Sequence, residues 1–434
     1  MARSITSRRS PAAGKPAADG FLTAREVTQI LRIKKETLYA YVSRGLIRSA
    51  GGDRKNGYVY RLDDVERLRA RGQARTEGSL YKAGAPRWSE PVVHTAITSI
   101  TAQGPVFRGR PALALERAGY GFESVADFLW TGALSEPPTA WPAAAGGVAM
   151  DRLLDAAAID RRTPDVTRLF AMLVAGWAGG DDLREGTTIP AARALLAEMP
   201  RCLGYMTDRG RFAPPQPGLP VAEAILRAAG AAATPPAAAA VNAALVLLID
   251  HELTPQTVAA RLAASNGSSL HFCLLAALGA HSGSRIRRAC DRIEDILLAA
   301  GDPEDFRSRI GAASPTHPTV PGFNHPLYPK GDPRAKRLIE IARALPAPSP
   351  RGFWFGPLLD EMLSRENALP SCESGLVILC QTLGLPYRSA GAILLMTRCA
   401  GWVAHVIEQR LAGTMLRPRA RFQGVASPSA SGRG

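Results

Sequence analysis

From about residue 88 onward, the sequence consists of Ala- and Leu-rich segments in which apolar residues recur at helical spacing. Prolines separate these segments, and strand-like alternation is limited to a short stretch near Val106 and Phe107. Amphipathic helices that follow one another over most of a chain must bury their apolar faces against each other. The sequence therefore predicts an all-α body.

The chain has 434 residues, which exceeds the usual size of a single domain, and its charge is unevenly distributed. The formal net charge is +15, and residues 1–90 contain 19 Lys and Arg against 9 Asp and Glu. Such an excess is typical of proteins with polyanionic partners, such as nucleic acid or a phosphate-bearing cofactor. We expect a basic module at 20–75, a linker at 76–87, the helical body at 88–424, and disordered tails at 1–19 and 425–434.

The six cysteines form no CxxC pair and have no histidine at metal-ligand spacing. This pattern predicts buried thiols in a reducing cytosol, without disulfides and without a metal site. The most apolar stretch, residues 237–249, is too short for a membrane span and follows two prolines, so we interpret it as a core helix. We therefore expect a cytoplasmic protein with no membrane contact.

Two short helices are predicted at the start of the basic module. Thr23 and Glu26 have the spacing of a capping box, and apolar residues follow them at helical spacing. A second short helix is predicted from Glu36 to Ser43, with Gly45 suited to a left-handed cap. Two helices at this spacing suggest a helix-turn-helix.

A two-stranded wing is predicted next, because the turn-prone segment 51–57 lies between residues 46–48 and the alternating residues 58–61. A third helix is predicted over residues 63–71. This order resembles the winged helix-turn-helix of the MerR family. The resemblance implies that the second helix enters the major groove of DNA and that basic wing residues contact phosphates.

The candidate DNA contacts that follow from this resemblance are Lys34, Lys35, Thr37, Tyr39, Arg44, Arg54 and Lys55. Other interpretations stay open, because a helix-turn-helix scaffold does not by itself imply function and basic faces are often only solvated surface. The module would then serve in dimerisation or as a lid that affects specificity.

The segment PGFNHPLYPKGDPR, residues 321–334, holds a histidine and an arginine nine positions apart in a frame rich in Pro and Gly. His325 can donate to or accept from a carbonyl, and Arg334 can bind a carboxylate with two parallel hydrogen bonds. This pairing suits a keto-acid. The segment resembles the signature of the citrate synthase family, which combines Gly322, the histidine and the Asp-Pro-Arg of residues 332–334.

The same resemblance extends over about residues 88–424, through LLIDHELTP at 247–255, TRCAGWVAH at 397–405 and LRPRARF at 416–422. The first of these places ionisable residues at the end of an apolar helix, where burial is costly unless they are paired. The resemblance implies a helical citrate synthase fold with a large and a small subdomain, assembled as a homodimer.

The resemblance also implies roles for individual residues. The residues that would bind oxaloacetate carboxylates are His251, Arg334, Arg398 and Arg417, the last reaching into the site of the partner subunit. Arg419 and Arg421 would help to hold the phosphates of CoA, and His325 would polarise the keto group of the substrate.

Two catalytic positions depart from the family pattern. The catalytic base is normally an Asp thirteen residues before the Pro of a Leu-Gly-Leu-Pro turn, and Glu373 stands at that distance from Pro386. The histidine that stabilises the enol is normally found where this chain has Gly283, whereas His281 arrives two residues early. Misplacement of a catalytic group by roughly 1 Å can lower a rate by about a hundredfold.

The leading hypothesis is condensation of acetyl-CoA or propionyl-CoA with oxaloacetate, which gives citrate or methylcitrate and CoA. Acyl-CoA would be a co-substrate, with no permanently bound cofactor, Glu373 would act as base and His281 would stabilise the enol. The alternative is a catalytically impaired metabolite sensor that regulates transcription by binding DNA.

Overall fold

The computed structural model describes residues 21–31, 33–43, 47, 49–51, 58–61, 64–65, 93–135, 141, 152, 165–177, 187–312, 322–346 and 369–417. The expected tails and the linker lie outside these residues. The chain divides into two compact units, residues 1–94 and 95–434, and each has a hydrophobic core of its own.

The elements of the first unit are β1 (Phe21–Thr23), α1 (Ala24–Leu31), α2 (Lys35–Ser43), β2 (Ser49–Gly51) and β3 (Tyr58–Arg61). The three strands form an antiparallel sheet in the order β1-β3-β2. The predicted capping box is confirmed, since Thr23 N donates to Glu26 Oε2 at 2.8 Å and Glu26 N donates to Thr23 Oγ1 at 3.4 Å.

Two predictions for the wing need correction. The first wing strand is Ser49–Gly51 rather than residues 46–48, so the register starts three positions later than the sequence pattern indicated. The second wing strand, at 58–61, also pairs with residues 21–23, so the predicted two-stranded wing belongs to a three-stranded sheet. Of the predicted third helix, only residues 64 and 65 are described, and Val65 is buried in the core of the unit.

The described residues of the second unit form helices and one small sheet, as predicted for an all-α body. Its strands are β4 (Thr98–Thr101), β5 (Gly104–Phe107) and β6 (Arg110–Pro111), paired in that order. The first helices are α3 (Ala112–Arg117), α4 (Phe122–Thr131), α5 (Val166–Gly176), α6 (Thr188–Glu198), a 3-10 helix (Met199–Met206), α7 (Val221–Ala228) and α8 (Pro235–Leu248). The remaining helices are α9 (Pro255–Ser265), α10 (Leu270–His281), α11 (Ser284–Ala299), α12 (Pro303–Ala312), α13 (Pro333–Ala344), α14 (Cys372–Thr382) and α15 (Ser389–Ala412).

The stretch interpreted as a core helix is α8. Thr234 caps it by accepting from Ala237 N, and prolines occupy its first turn, where they cost no hydrogen bond. Most of its residues are buried, which is why its sequence is apolar on every side rather than on one face.

The last helix, α15, forms the centre of the body and packs against α4, α8, α9, α10, α11 and α14. By length and hydropathy alone α15 qualifies as a membrane span. However, 83% of its most apolar 18-residue stretch is buried inside the protein, as in a core helix. Gly401 allows the end of α8 to approach α15 closely, since a Cβ there would lie 2.4 Å from Ile249 O. This crossing fixes the residues that follow α8.

Candidate active site

The end of α8 is anchored by a buried polar network. Asp250 Oδ2 lies 3.3 Å from His405 Nε2, and His405 Nδ1 lies 3.2 Å from Arg261 Nη1, which is itself paired with Glu408. Burial acts to raise the pKa of Asp250, but the facing His405 holds it below its usual range. The predicted need for partners at this position is thus confirmed, and the adjacent His251 is attached to a rigid support.

A second network holds the loop that carries His325 against the N-terminal end of α14. Ser371 N donates to Gly322 O at 2.8 Å, and Asn324 N donates to Leu369 O at 2.8 Å. Leu369 N returns a hydrogen bond to Asn324 Oδ1 at 3.0 Å. Two segments almost 50 positions apart in sequence are therefore fastened side by side.

The His325 ring is oriented by its own loop, because Leu327 N donates to His325 Nδ1 at 3.2 Å. Burial lowers the pKa of His325, and Arg334 acts in the same direction, whereas nearby Glu373 opposes them. The neutral ring therefore carries its proton on Nε2, where it can donate to a substrate oxygen. The carboxylate of Glu373 is partly buried and accepts a hydrogen bond from Ser371 Oγ.

Arg334 is completely buried and pairs with a carboxylate of its own chain. Its Nε and Nη2 donate to Asp332 at 3.0 and 2.8 Å, and Asp332 also accepts from Cys372 N at 3.1 Å. Nε and Nη2 of Arg334 thus each make one hydrogen bond to Asp332, and Nη1 is left without a partner. Binding of a substrate carboxylate by the remaining N–H groups of Arg334 stays a prediction.

Arg398, on α15, has no carboxylate within ion-pairing distance among the described residues. Its Nη1 is buried without a hydrogen-bond partner. Burial lowers the pKa of this guanidinium, and the positive charge of Arg334 lowers it further. A buried cation beside a second cation is unfavourable unless an anion lies near them, so Arg334 and Arg398 form a candidate anion site.

Four side chains in this region each leave one buried polar atom without a partner, namely His251 Nε2, Tyr328 Oη, Arg334 Nη1 and Arg398 Nη1. The His251 and His325 rings are 5.2 Å apart, and the Tyr328 ring lies 5.1 Å from that of His325. Burial lowers the pKa of His251, followed by the effect of the two arginines, so its imidazole is neutral. Most buried polar atoms in proteins are hydrogen-bonded, so these four atoms are candidates for contacts with a polar ligand.

Tyr328 was not among the predicted site residues. It lies three positions after His325 in the same motif, and the Arg334 guanidinium is 5.2 Å from the centre of its ring. The available signal was its position between two candidate ligand-binding residues in a rigid loop.

His281 is the last residue of α10 and is buried, with its ring 6.4 Å from that of Trp402. Trp402 follows Arg398 by one turn of α15, so His281 lies beside the helix that carries the anion site. Gly283 is the N-cap of α11. The role of His281 in stabilising an enol stays a prediction.

Arg417 is exposed beyond the end of α15, whereas Arg419 and Arg421 lie outside the described residues. The reach of Arg417 into a partner subunit and the CoA contacts stay predictions. All six cysteines are buried free thiols.

In the first unit, Lys34, Lys35 and Tyr39 are exposed at the start of α2 or on it, and Tyr39 exposes 56% of its surface. Thr37 is partly buried. Arg44, Arg54 and Lys55 lie outside the described residues. The side chains of Lys34 and Lys35 are thus accessible to a DNA phosphate.

Family models match both parts of the chain. One described as "Citrate synthase, C-terminal domain" matches residues 87–419, and one described as "Helix-turn-helix domain" matches residues 21–73.

Among curated relatives, the 2-methylcitrate synthase of Mycobacterium tuberculosis is 25% identical over 346 residues, which cover 76% of this chain and 88% of that protein. Citrate synthase 2 of Bacillus subtilis is 30% identical over 186 residues, which cover 42% of this chain and half of that protein's length.

Two solved structures share the fold. Citrate synthase from Thermoplasma acidophilum, in a ternary complex with carboxymethyl coenzyme A and oxaloacetate, has a TM-score of 0.66 at 22% identity, and the match covers 79% of this chain and 96% of that one. Citrate synthase from Pyrobaculum aerophilum has a TM-score of 0.66 at 24% identity, and the match covers 78% of this chain and 91% of that one. The chain therefore belongs to the citrate synthase family and carries an N-terminal helix-turn-helix domain.

Proposed function

We propose that the helical body condenses an acyl-CoA, either acetyl-CoA or propionyl-CoA, with oxaloacetate, and releases citrate or methylcitrate and CoA. The observation that carries this proposal is the group of four unpartnered polar atoms beside His325 and Glu373. A dicarboxylate with a keto group supplies the negative charge and the acceptors that these atoms lack.

In this proposal the keto-acid binds first through its carboxylates. Arg334 and Arg398 each donate from a free Nη1, and the neutral His251 donates or accepts at Nε2. The keto oxygen accepts from His325 Nε2, because Nδ1 of that ring is already occupied by Leu327 N. Polarisation of the keto group makes its carbon a better electrophile.

Glu373 then removes a proton from the methyl or methylene group next to the thioester carbonyl. The resulting enolate carbon attacks the keto carbon, a carbon–carbon bond forms, and the keto oxygen takes up a proton on the side of His325. Water attacks the thioester carbonyl, the carbon–sulfur bond breaks, and CoA leaves as its thiol. His281 is our candidate for the donor to the enolate oxygen, and Arg417, Arg419 and Arg421 are our candidates for contacts in a homodimer.

The test is release of free thiol by the purified full-length chain. We expect sustained release with oxaloacetate and either acetyl-CoA or propionyl-CoA, no release above background without oxaloacetate, and loss of release in His325→Ala. Thermal unfolding with oxaloacetate alone provides a second measurement. A protein that is stabilised by oxaloacetate but releases no thiol would contradict the enzymatic proposal and support the sensor.

The exposed lysines of the helix-turn-helix favour a second candidate function, which is DNA binding that responds to the keto-acid. Lys34 and Lys35 stand at the start of α2, the helix that enters the major groove in this class of fold. Contacts of this kind give affinities that fall steeply with salt.

We predict that Lys35→Ala weakens DNA binding about equally across sequences and reduces the slope of log affinity against log salt by about 1. Fluorescence anisotropy with a labelled duplex, with and without oxaloacetate, measures both quantities. Arg227→Ala is the control, because it removes an exposed cation from the helical body. Equal effects of the two substitutions would show that the binding is non-specific attraction to a basic protein.

A further inference from the structure

The side chain of Tyr328 is buried, with 2% of its surface exposed, yet its hydroxyl group has no hydrogen-bond partner. Its ring is held on three sides, by the His325 ring at 5.1 Å, the His251 ring at 6.2 Å and the Arg334 guanidinium at 5.2 Å. These contacts use the faces and edges of the ring and would be made equally well by phenylalanine. The hydroxyl therefore contributes nothing to the packing of the free protein, and its burial without a partner is unfavourable.

The electrostatic surroundings of this hydroxyl are those of the anion site. Burial raises the pKa of Tyr328 to about 12, and its charged neighbours include Arg334, Asp332 and Arg398. At neutral pH the phenol is consequently protonated and acts as a hydrogen-bond donor. Asp332 is already engaged by Arg334 and by Cys372 N, so the donor is left for a ligand.

We propose that Tyr328 is a substrate-binding residue whose hydroxyl donates a hydrogen bond to a carboxylate of the 2-oxo dicarboxylate held by Arg334 and Arg398. This inference rests on the proposed function and extends it, because it adds an uncharged donor to the binding site. Nη1 of Arg334 has no partner, and the Tyr328 hydroxyl on the ring beside this guanidinium supplies a further donor for the same carboxylate.

Another tyrosine provides the structural counterpart. Tyr387 donates from its hydroxyl to Asp295, and its ring is stacked on Arg388. This hydroxyl has a protein partner in the free chain, in contrast to that of Tyr328. Removal of the two hydroxyl groups should therefore have opposite consequences for stability and for binding.

The experiment compares Tyr328→Phe with Tyr387→Phe in the full-length protein. For Tyr328→Phe we expect a melting temperature without ligand equal to that of the wild type or higher. We also expect a dissociation constant for oxaloacetate raised about tenfold or more, as for loss of a hydrogen bond to a charged group, and a smaller thermal shift with oxaloacetate. For Tyr387→Phe we expect a lower melting temperature without ligand and an unchanged dissociation constant.

One result would overturn the inference, namely a dissociation constant for oxaloacetate in Tyr328→Phe equal to that of the wild type, whether or not the stability without ligand changes. If the wild type itself shows neither binding of oxaloacetate nor thiol release, the proposed function is wrong and the inference fails with it. The behaviour of the wild type thus separates failure of the function from failure of the assignment of Tyr328.

Discussion

Replacement of Glu373 by Gln should lower the rate of thiol release by roughly 100- to 10,000-fold, the range expected when a general base is removed. The amide has almost the same size and can still accept a hydrogen bond from Ser371 Oγ, but it cannot take up a proton from the acyl-CoA. Binding of oxaloacetate should persist, because the four unpartnered atoms of the anion site belong to other residues. The loss should therefore appear in kcat and not in the thermal shift caused by oxaloacetate.

Glu373→Asp is the matched control, since it keeps the carboxylate and shortens the arm by one methylene. Asp is also the residue of the family pattern at this position. We expect this variant to retain turnover within about a hundredfold of the wild type, the scale on which a displacement of about 1 Å affects a rate. Undiminished thiol release in Glu373→Gln would show that another group is the base.

The elements that the sequence predicts well are those specified by neighbouring residues. The capping box of α1 needs only Thr23 and Glu26, and α8 is marked by two prolines at its start and by an apolar run that Asn242 alone interrupts. The loop around His325 was identified in the same way, because its function depends on residue types within fourteen positions of the chain. Local patterns of this kind can be recognised from the sequence without knowledge of the fold.

The features that the sequence analysis missed depend on residues brought together by packing. His405 faces Asp250 across 155 positions, and Asn324 pairs with Leu369 across 45. The ion pair between Arg334 and Asp332 joins residues two positions apart in the sequence. Its formation nevertheless depends on the packing that buries both side chains, which the sequence does not show. The strand pairing of residues 21–23 with the wing was missed for a similar reason, since a three-residue strand has almost no pattern of its own.

These two classes of interaction have different functions in the site. Local motifs supply the candidate reactive groups, His325 and Glu373, whereas long-range contacts hold the segments that carry them side by side. His251 shows both contributions, because it belongs to a short motif but is positioned by the close approach of residues 249 and 250 to Gly401 of α15. A substitution at that crossing should therefore affect a site residue that it does not touch.

Gly401→Ala is the substitution that should reveal this dependence most strongly. The added Cβ would lie 2.4 Å from Ile249 O, 2.6 Å from Asp250 Oδ1 and 3.0 Å from Asp250 Cβ. Ile249 O is a backbone atom, and the Asp250 carboxylate is held by its buried contact with His405, so neither can move aside without a large cost in free energy. We expect the free energy of unfolding to fall by about 3 kcal/mol, at the upper end of the usual cost of overpacking.

The same substitution should weaken oxaloacetate binding, because displacement of Asp250 moves the adjacent His251 away from the two arginines. Chemical denaturation and titration with oxaloacetate measure the two effects. Gly279→Ala is the control, since that glycine is exposed within α10 and its added Cβ would meet nothing within 4 Å. There the better helix propensity of Ala should raise stability by about 0.5–1 kcal/mol and leave binding unchanged. If Gly401→Ala matched this control in both measurements, the crossing of α8 and α15 would not be what positions His251.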